Sequence, residues 1–403
     1  MPFVMNNMRN DTQIIISTVV IAVLSGLSGC SERAAPTAPA EGSSRLAELL
    51  RGDPAAGYSQ VSAPRTFSFP DDHGPHPGYR NEWWYFTGNL DEPGGRRFGY
   101  ELTIFRFALQ PDMSHPGSDV SAWRSNEVFI GHFAVTDTDN EEFHVAERYS
   151  RAALGLAGAT TVPVQAWIED WSITRRPATG RDTGAPAERW HLQANQDDIG
   201  LELTLTPEKK PVPNGVDGLS QKSAEPGNAS YYYSVPRLRT EGIISIGAQS
   251  FAVSGLSWLD REWGSSGLAA DQQGWDWFAL QLADGSDLMF YRLRRTGGAT
   301  DPWSAGTWMP ADGSPMHLSA PDVDIEVRNY WESPLGGRYP MDWTLTVPTL
   351  DLSLRIRPVV RSQELATSVR YWEGAVDVNG ERNGKEVSGR GYVELTGYAD
   401  DPT

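Results

Sequence analysis

Beyond the first sixty or so residues, apolar positions in this chain recur every second residue rather than every third or fourth. The stretches FGYELTIFRFAL (98–109), LELTLTP (201–207), DLMFYRLRR (287–295), MDWTLTVPTLDLSLRIRP (341–358) and GRGYVELTGY (389–398) all alternate in this way. Gly, Pro, Asn or Asp interrupts them roughly every 8–15 residues. Period-two patterning places one face of each segment inward, so the chain is predicted to be all-β, a sandwich or barrel built from short strands.

The strands repeat. Trp84-Tyr85, Leu90-Asp91 and Phe105-Arg106-Phe107 return as Trp277-Phe278, Ala283-Asp284 and Tyr291-Arg292-Leu293. Residues 253–260 (VSGLSWLD) likewise return as 387–394 (VSGRGYVE). Two sequentially related β-domains follow, 65–268 and 269–403, with the boundary in the small-residue run 264–274. The alignment predicts equivalent places for Trp84 and Trp277. The first copy is longer, mostly between residues 155 and 228, where 174–190 and 207–228 read as loop-like insertions. They are either surface decoration or a lid over one end.

The opening segment has another pattern. Arg9 precedes an apolar run over 14–27 that is too short to span a bilayer comfortably, so residues 1–29 read as a signal peptide. Its end, Leu27-Ser28-Gly29-Cys30, resembles the lipobox of bacterial lipoproteins, and Cys30 is the one cysteine in the chain. Lipidation at Cys30 is expected, followed by a flexible Ala/Pro/Ser/Gly tether over 30–64. Ser31 stands where an aspartate would resemble the inner-membrane retention signal, so a periplasm-facing lipoprotein of the outer membrane is expected. A net charge of −18 without any Lys/Arg block argues against nucleic acid or anionic headgroups as partners of the folded part. Fifteen tryptophans must serve core or ligand pocket.

With these motifs in view the chain resembles the lipocalin-like carotenoid 1,2-hydratase and AttH family. The resemblance rests on residues 69–90 (FPDDHGPHPGYRNEWWYFTGNL), 231–241 (YYYSVPRLRTE), 255–264 (GLSWLDREWG), 274–282 (GWDWFALQL) and 371–374 (YWEG). It covers almost everything after Pro64. It implies two tandem lipocalin-like β-barrel domains around an apolar pocket, and hydratase, hydrolase or cyclase chemistry in some members.

Two stretches carry candidate chemistry. If residues 255–264 form a strand, Trp258, Asp260 and Glu262 share one face. Paired carboxylates beside a tryptophan suit hydration of an isolated double bond. One acid protonates carbon, the other orients water, and aromatic faces steady the carbocation. The bland alternative is a structural ion-pair cluster with Arg261. The second stretch is His73-x-x-His76, flanked by Asp71 and Asp72. Pro75 and Pro77 and the scattered remaining histidines argue against a metal site. Residues 69–90 are read instead as crossing the mouth of a pocket, with His73 a proton carrier and His76, Glu82, Trp83, Trp84, Tyr232 and Trp258 as lining. Hydrolase machinery is missing, since no G-x-S-x-G is present, and no phosphate loop or dinucleotide fingerprint points to a cofactor. Two functions stay open: a cofactor-free hydratase acting on a hydrophobic, polyene or lipid-like molecule, and a non-enzymatic lipid or lipoprotein carrier working with an ABC-type exporter.

Overall fold

A computed structural model describes residues 57–111, 125–177 and 188–399; Cys30, the leader and most of the tether lie outside them. The described chain is all-β, with short 3-10 turns and no α-helix, and no helix among these residues is long and apolar enough to cross a membrane. The first sheet holds β1 (Asn81–Asp91), β2 (Arg97–Ala108), β3 (Glu127–Asp137), β4 (Glu142–Arg151), β5 (Ala157–Thr161), β6 (Val164–Ile168), β7 (Trp171–Pro177), β8 (Glu188–Gln196), β9 (Ile199–Pro207), β10 (Val212–Pro213), β11 (Leu219–Gln221), β12 (Ala229–Ile246) and β13 (Gln249–Gly264). The second holds β14 (Gln272–Leu282), β15 (Asp287–Arg295), β16 (Ala305–Met309), β17 (Met316–Ser319), β18 (Asp324–Glu332), β19 (Arg338–Val347), β20 (Leu352–Pro358), β21 (Glu364–Ala366), β22 (Arg370–Arg382) and β23 (Lys385–Leu395).

Both sheets are antiparallel meanders in which the last strand returns to pair with the first: β13 joins β1, and β23 joins β14. The first curls until β3 and β4 meet β5 and β6, closing a barrel, and the second forms a half-barrel. The chain passes from one sheet to the other between Gly264 and Gln272. Much of the excess over 155–207 is strand and completes the barrel wall, while β10 and β11 hydrogen-bond along β12.

Period two then decides what each strand does. On β1, Trp84, Phe86 and Leu90 face the barrel core, and Tyr85 faces the second sheet. On β13, Leu259 and Trp263 go inward and Trp258 outward; on β12, Tyr231 and Tyr233 inward and Tyr232 outward. On β14, Phe278 and Leu280 fill the half-barrel, while Trp277 and Ala279 face the seam. Four central strands are thus buried on both faces. The repeat alignment is corrected here. Trp84 lies in the barrel core and Trp277 in the seam, so the two are not equivalent. Register pairs Trp277 with Glu394 and Tyr85 with Asp260; since 253–260 returns as 387–394, the residue of β1 that answers to Trp277 is Tyr85.

The stretch before β1 plugs the barrel instead of covering a pocket mouth. A 3-10 turn, Asp71–His73, packs inside against the inward faces of β8 and β12. His73 Nδ1 lies 2.6 Å from the Tyr233 hydroxyl, and Trp84 Nε1 donates to the His73 carbonyl at 2.9 Å. His76 stacks on Trp263 with ring centroids 3.7 Å apart. Glu82 stands at the centre, 3.3 Å from Arg106, 3.1 Å from Arg261 and 3.2 Å from His76. Burial alone would raise the Glu82 carboxyl, but Arg106, the His76 hydrogen bond and Arg261 outweigh it and hold it at about 2. Burial drives the His73 imidazole well below its usual value, with Arg175 and Arg261 adding to the effect. His73, His76, Glu82 and Trp84 are therefore not part of the lining of the cavity at the seam between the two sheets. They sit on the inward faces, and the ion-pair cluster around Arg261 belongs to them, not to Asp260. Among the described residues no group of three or more His, Cys, Asp or Glu is arranged to hold a metal ion.

Candidate active site

The outward faces of β1, β12 and β13 meet β14, β15, β22 and β23 across the seam. Between them lies a cavity enclosing, with its mouth, about 1020 Å³ of atom-free space. Its walls are mostly aromatic: Trp83, Tyr85 and Tyr232 from the barrel, and Trp275, Trp277, Tyr291 and Tyr371 from the half-barrel. Asp260, Glu262, Glu394 and Lys222 are the charged groups that reach it. Of the sequence-predicted residues, the cavity brings together Asp260, Glu262, Trp83 and Tyr232. Trp258 is buried in the same cluster but stands behind Asp260 as a hydrogen-bond donor, so its assigned place in the lining is corrected to a supporting one.

Asp260 is 3% exposed. Its Oδ1 accepts from Ser234 Oγ at 2.5 Å and from Trp258 Nε1 at 2.7 Å, and its Oδ2 accepts from the Tyr232 hydroxyl. Those three donors favour the carboxylate. Desolvation is larger, and with help from the Glu262 charge it lifts Asp260 to about 7. The group is therefore an acid that still holds its proton in a good fraction of molecules at neutral pH.

Glu262, two residues on, has a different setting. Ser230 Oγ donates to Oε1, and Lys222 Nζ lies 3.0 Å from the same oxygen. Lys222 also sits 4.1 Å from the Tyr291 ring centroid. Burial works against its charge, but Glu262 and Tyr291 hold the ammonium above its usual value. Two carboxylates on one strand face are thus given separate roles by their surroundings, one kept as a proton donor and one ion-paired.

Sequence reasoning missed Lys222 and Glu394. Lys222 belongs to the 207–228 insertion, which looked like decoration or a lid; β10 and β11 instead fasten it along β12 and turn the lysine into the cavity. Glu394 stands opposite Asp260 in the repeat, 253–260 against 387–394, but falls outside the candidate set. Burial raises it to about 8, with the charges of Glu101, Asp260 and Glu262 adding, although Trp275 Nε1 donates to it at 2.9 Å. The signal was present in the repeat, since Asp260 and Glu394 hold the same place in it, each paired across the strands with an aromatic of the seam, Tyr85 and Trp277.

The seam is glued by polar contacts in both directions. Tyr85 donates to Glu373 Oε1 at 2.6 Å, Trp277 Nε1 donates to the Tyr232 hydroxyl at 3.0 Å, and Arg97 and Arg390 reach Asp377 and Asp91 at 2.6 Å. The second sheet is thus part of the site's wall and of its hydrogen bonding.

Against known proteins, the AttH-like family profile matches residues 60–398. A crystal structure of a protein described as an AttH from Nitrosomonas europaea superimposes with a TM-score of 0.73 at 31% identity, covering 84% of this chain and 99% of that one. Kievitone hydratase from Nectria haematococca shares the fold at 16% identity, with a TM-score of 0.62 over 86% of this chain and 98% of its own. Among curated proteins, dehydratase AsqC of Emericella nidulans is 22% identical over 230 residues, 51% of this chain and 60% of that protein, so less than two thirds of its length is matched. The chain belongs to the AttH-like family.

Proposed function

We propose that this protein is a hydro-lyase of the carotenoid-hydratase type, adding water to, or removing it from, a double bond of a hydrophobic, polyene or lipid-like molecule. One observation carries the reading: Asp260, a buried carboxyl that desolvation lifts to about 7, opens onto an aromatic cavity beside an ion-paired carboxylate. In the hydration direction Asp260 gives its proton to an alkene carbon, and the ring faces of Trp83, Trp275 and Trp277 steady the cation that forms. Glu262, fixed by Lys222 and Ser230, accepts a hydrogen bond from the incoming water and orients it. The names of the hydratase and dehydratase relatives support the same reaction class.

The test starts from the protein itself. Mass spectrometry of apolar molecules copurifying with it should find a polyene or lipid-like ligand. Incubation in ¹⁸O-enriched water should shift that ligand, or its hydrated form, by one oxygen. A bound ligand that never exchanges oxygen would sink the enzyme reading and leave a carrier, handing cargo to an ABC-type exporter.

The membrane tether is part of the same proposal, because such a substrate resides in a bilayer. Acylated Cys30 would hold the cavity at the periplasmic face of the outer membrane. Cys30→Ala should move the protein from the membrane to the soluble fraction with its fold unchanged. Continued labelling of that variant by a radioactive fatty acid would rule the anchor out.

A further inference from the structure

The hydration steps above leave one question of proton balance. Asp260 loses a proton to carbon, and the added water must lose one as well. Glu262 is poorly placed to keep it, because Ser230 and Lys222 already engage its Oε1. On the half-barrel's wall, however, stands a phenol with a base behind it. Tyr371, on β22, lines the cavity, and its hydroxyl is 2.6 Å from His132 Nδ1. His132 Nε2 is 3.1 Å from Glu147 Oε1. Tyr371 and His132 are 2% and 1% exposed, whereas the Glu147 side chain is 16% exposed. The row begins in the cavity and ends at the surface.

Its parts are held for transfer. His132 and Glu147 face each other across β3 and β4, and Ser368 steadies the carboxylate through its hydroxyl at 2.7 Å and its backbone N–H at 3.1 Å. A carboxylate on Nε2 favours the tautomer with its proton there, leaving Nδ1 to accept from the phenol. Burial, then the charges of Glu101, Glu373 and Glu394, push the Tyr371 phenol well above its usual value. It is neutral at rest, and its proton leaves only towards a base already bonded to it. A hydroxyl, an imidazole and an orienting carboxylate in sequence are the arrangement that activates weak nucleophiles elsewhere.

We propose that Tyr371, His132 and Glu147 form a proton relay joining the cavity to solvent, with Tyr371 the second proton-transferring group of the site; this rests on the hydro-lyase reading of the cavity. As the C–O bond forms, the water's proton passes to the Tyr371 oxygen. The phenol's own proton moves to His132 Nδ1, and the Nε2 proton moves to Glu147. Glu147 releases it to solvent, from which Asp260 regains one, so atoms and charge balance over the cycle. In dehydration the same relay runs in reverse. Tyr371 is the catalytic residue here; His132 and Glu147 act through it.

A test that needs no turnover separates this proposal from the reading beneath it. Naphthalene-2-sulfonyl fluoride suits the aromatic cavity and reports an activated hydroxyl: a tyrosine O–S bond forms, S–F breaks, fluoride leaves, and the phenol proton goes to the base. Peptide mass spectrometry of the labelled full chain should place the adduct on Tyr371 ahead of Tyr85 and Tyr232, whose hydroxyls donate to Glu373 and Asp260. His132→Gln and Glu147→Gln should each slow that labelling by about 10-fold or more. Glutamine at 147 still accepts a hydrogen bond, so a purely structural triad would tolerate it. Should His132→Gln fail to fold, Glu147→Gln at the surface end decides alone, and Glu147→Asp should recover part of the rate. First labelling at Lys222 or Tyr232, absence of a Tyr371 adduct, or an undiminished rate in Glu147→Gln overturns the relay and leaves the role of Asp260 standing.

Discussion

Asp260→Asn is expected to bind the copurifying ligand as the native protein does and to lose turnover by ~10²–10⁴-fold, the usual range for a missing general acid. The amide has the volume of the carboxyl. Its oxygen can keep the bonds from Ser234 and Trp258, and its nitrogen can donate to the Tyr232 hydroxyl. What it cannot do is hand a proton to carbon. Rates of oxygen exchange, measured beside ligand binding, check both halves of the expectation. An unfolded variant, or one turning over at the native rate, would remove Asp260 from the chemistry. The native pH profile should show the same group. Activity carried by protonated Asp260 falls as pH rises through about 7, and Asp260→Asn should erase that limb.

Thermal stability should decline as pH rises from about 5 to 9, which is the second large effect expected. Four buried carboxyls at the seam have raised values: Asp260 and Glu101 to about 7, Glu394 to about 8, and Glu373 well above normal, desolvation being the first cause in each. Their folded values lie above their unfolded ones. The stability they contribute is therefore complete below the unfolded values near 4 and is lost as pH climbs through the folded ones. A shift of about three pH units corresponds to ~4 kcal/mol for a group that ionises alone. The four do not add, because the first charge to form raises its neighbours. The ion-paired Glu82 works at the other end, losing its contribution only in strong acid as pH falls towards about 2. Calorimetric Tm values at pH 5, 7 and 9 test this, and Glu394→Gln should flatten the slope. A Tm that held steady or rose to pH 9 would mean that the seam carboxyls are hydrated and not buried.

The sequence carried much of this structure, and the places where it fell short share a cause. Alternation identified the strands, and the period-two face of Trp258, Asp260 and Glu262 proved to be the cavity face. The same rule applied to β1 would have separated Trp83 and Tyr85 from Glu82 and Trp84. Four aromatics or acids in succession hide a strand that is buried on both sides, and nothing local tells the barrel face from the seam face. His73 and His76 misled for a related reason: a histidine-rich turn before a barrel reads alike whether it fills the barrel or covers a pocket. Its inward position is set by Arg106 and Arg261, which come from distant strands. Lys222 was invisible because only tertiary pairing of β10 and β11 with β12 turns an apparent loop into a wall.

The double-sided strands also bear on how such a protein can change over evolutionary time. Positions 83 and 85, which line the cavity, can be exchanged one by one to suit a new substrate while Glu82, Trp84 and Phe86 beside them go on holding the barrel together. Specificity and foldability are thereby written on alternate letters of the same words. A one-residue insertion or deletion within β1, β12 or β13 is barred for the same reason, since it would exchange the two texts at once. Divergence in this lineage should therefore proceed by substitution in these strands and by length change only in the loops between them.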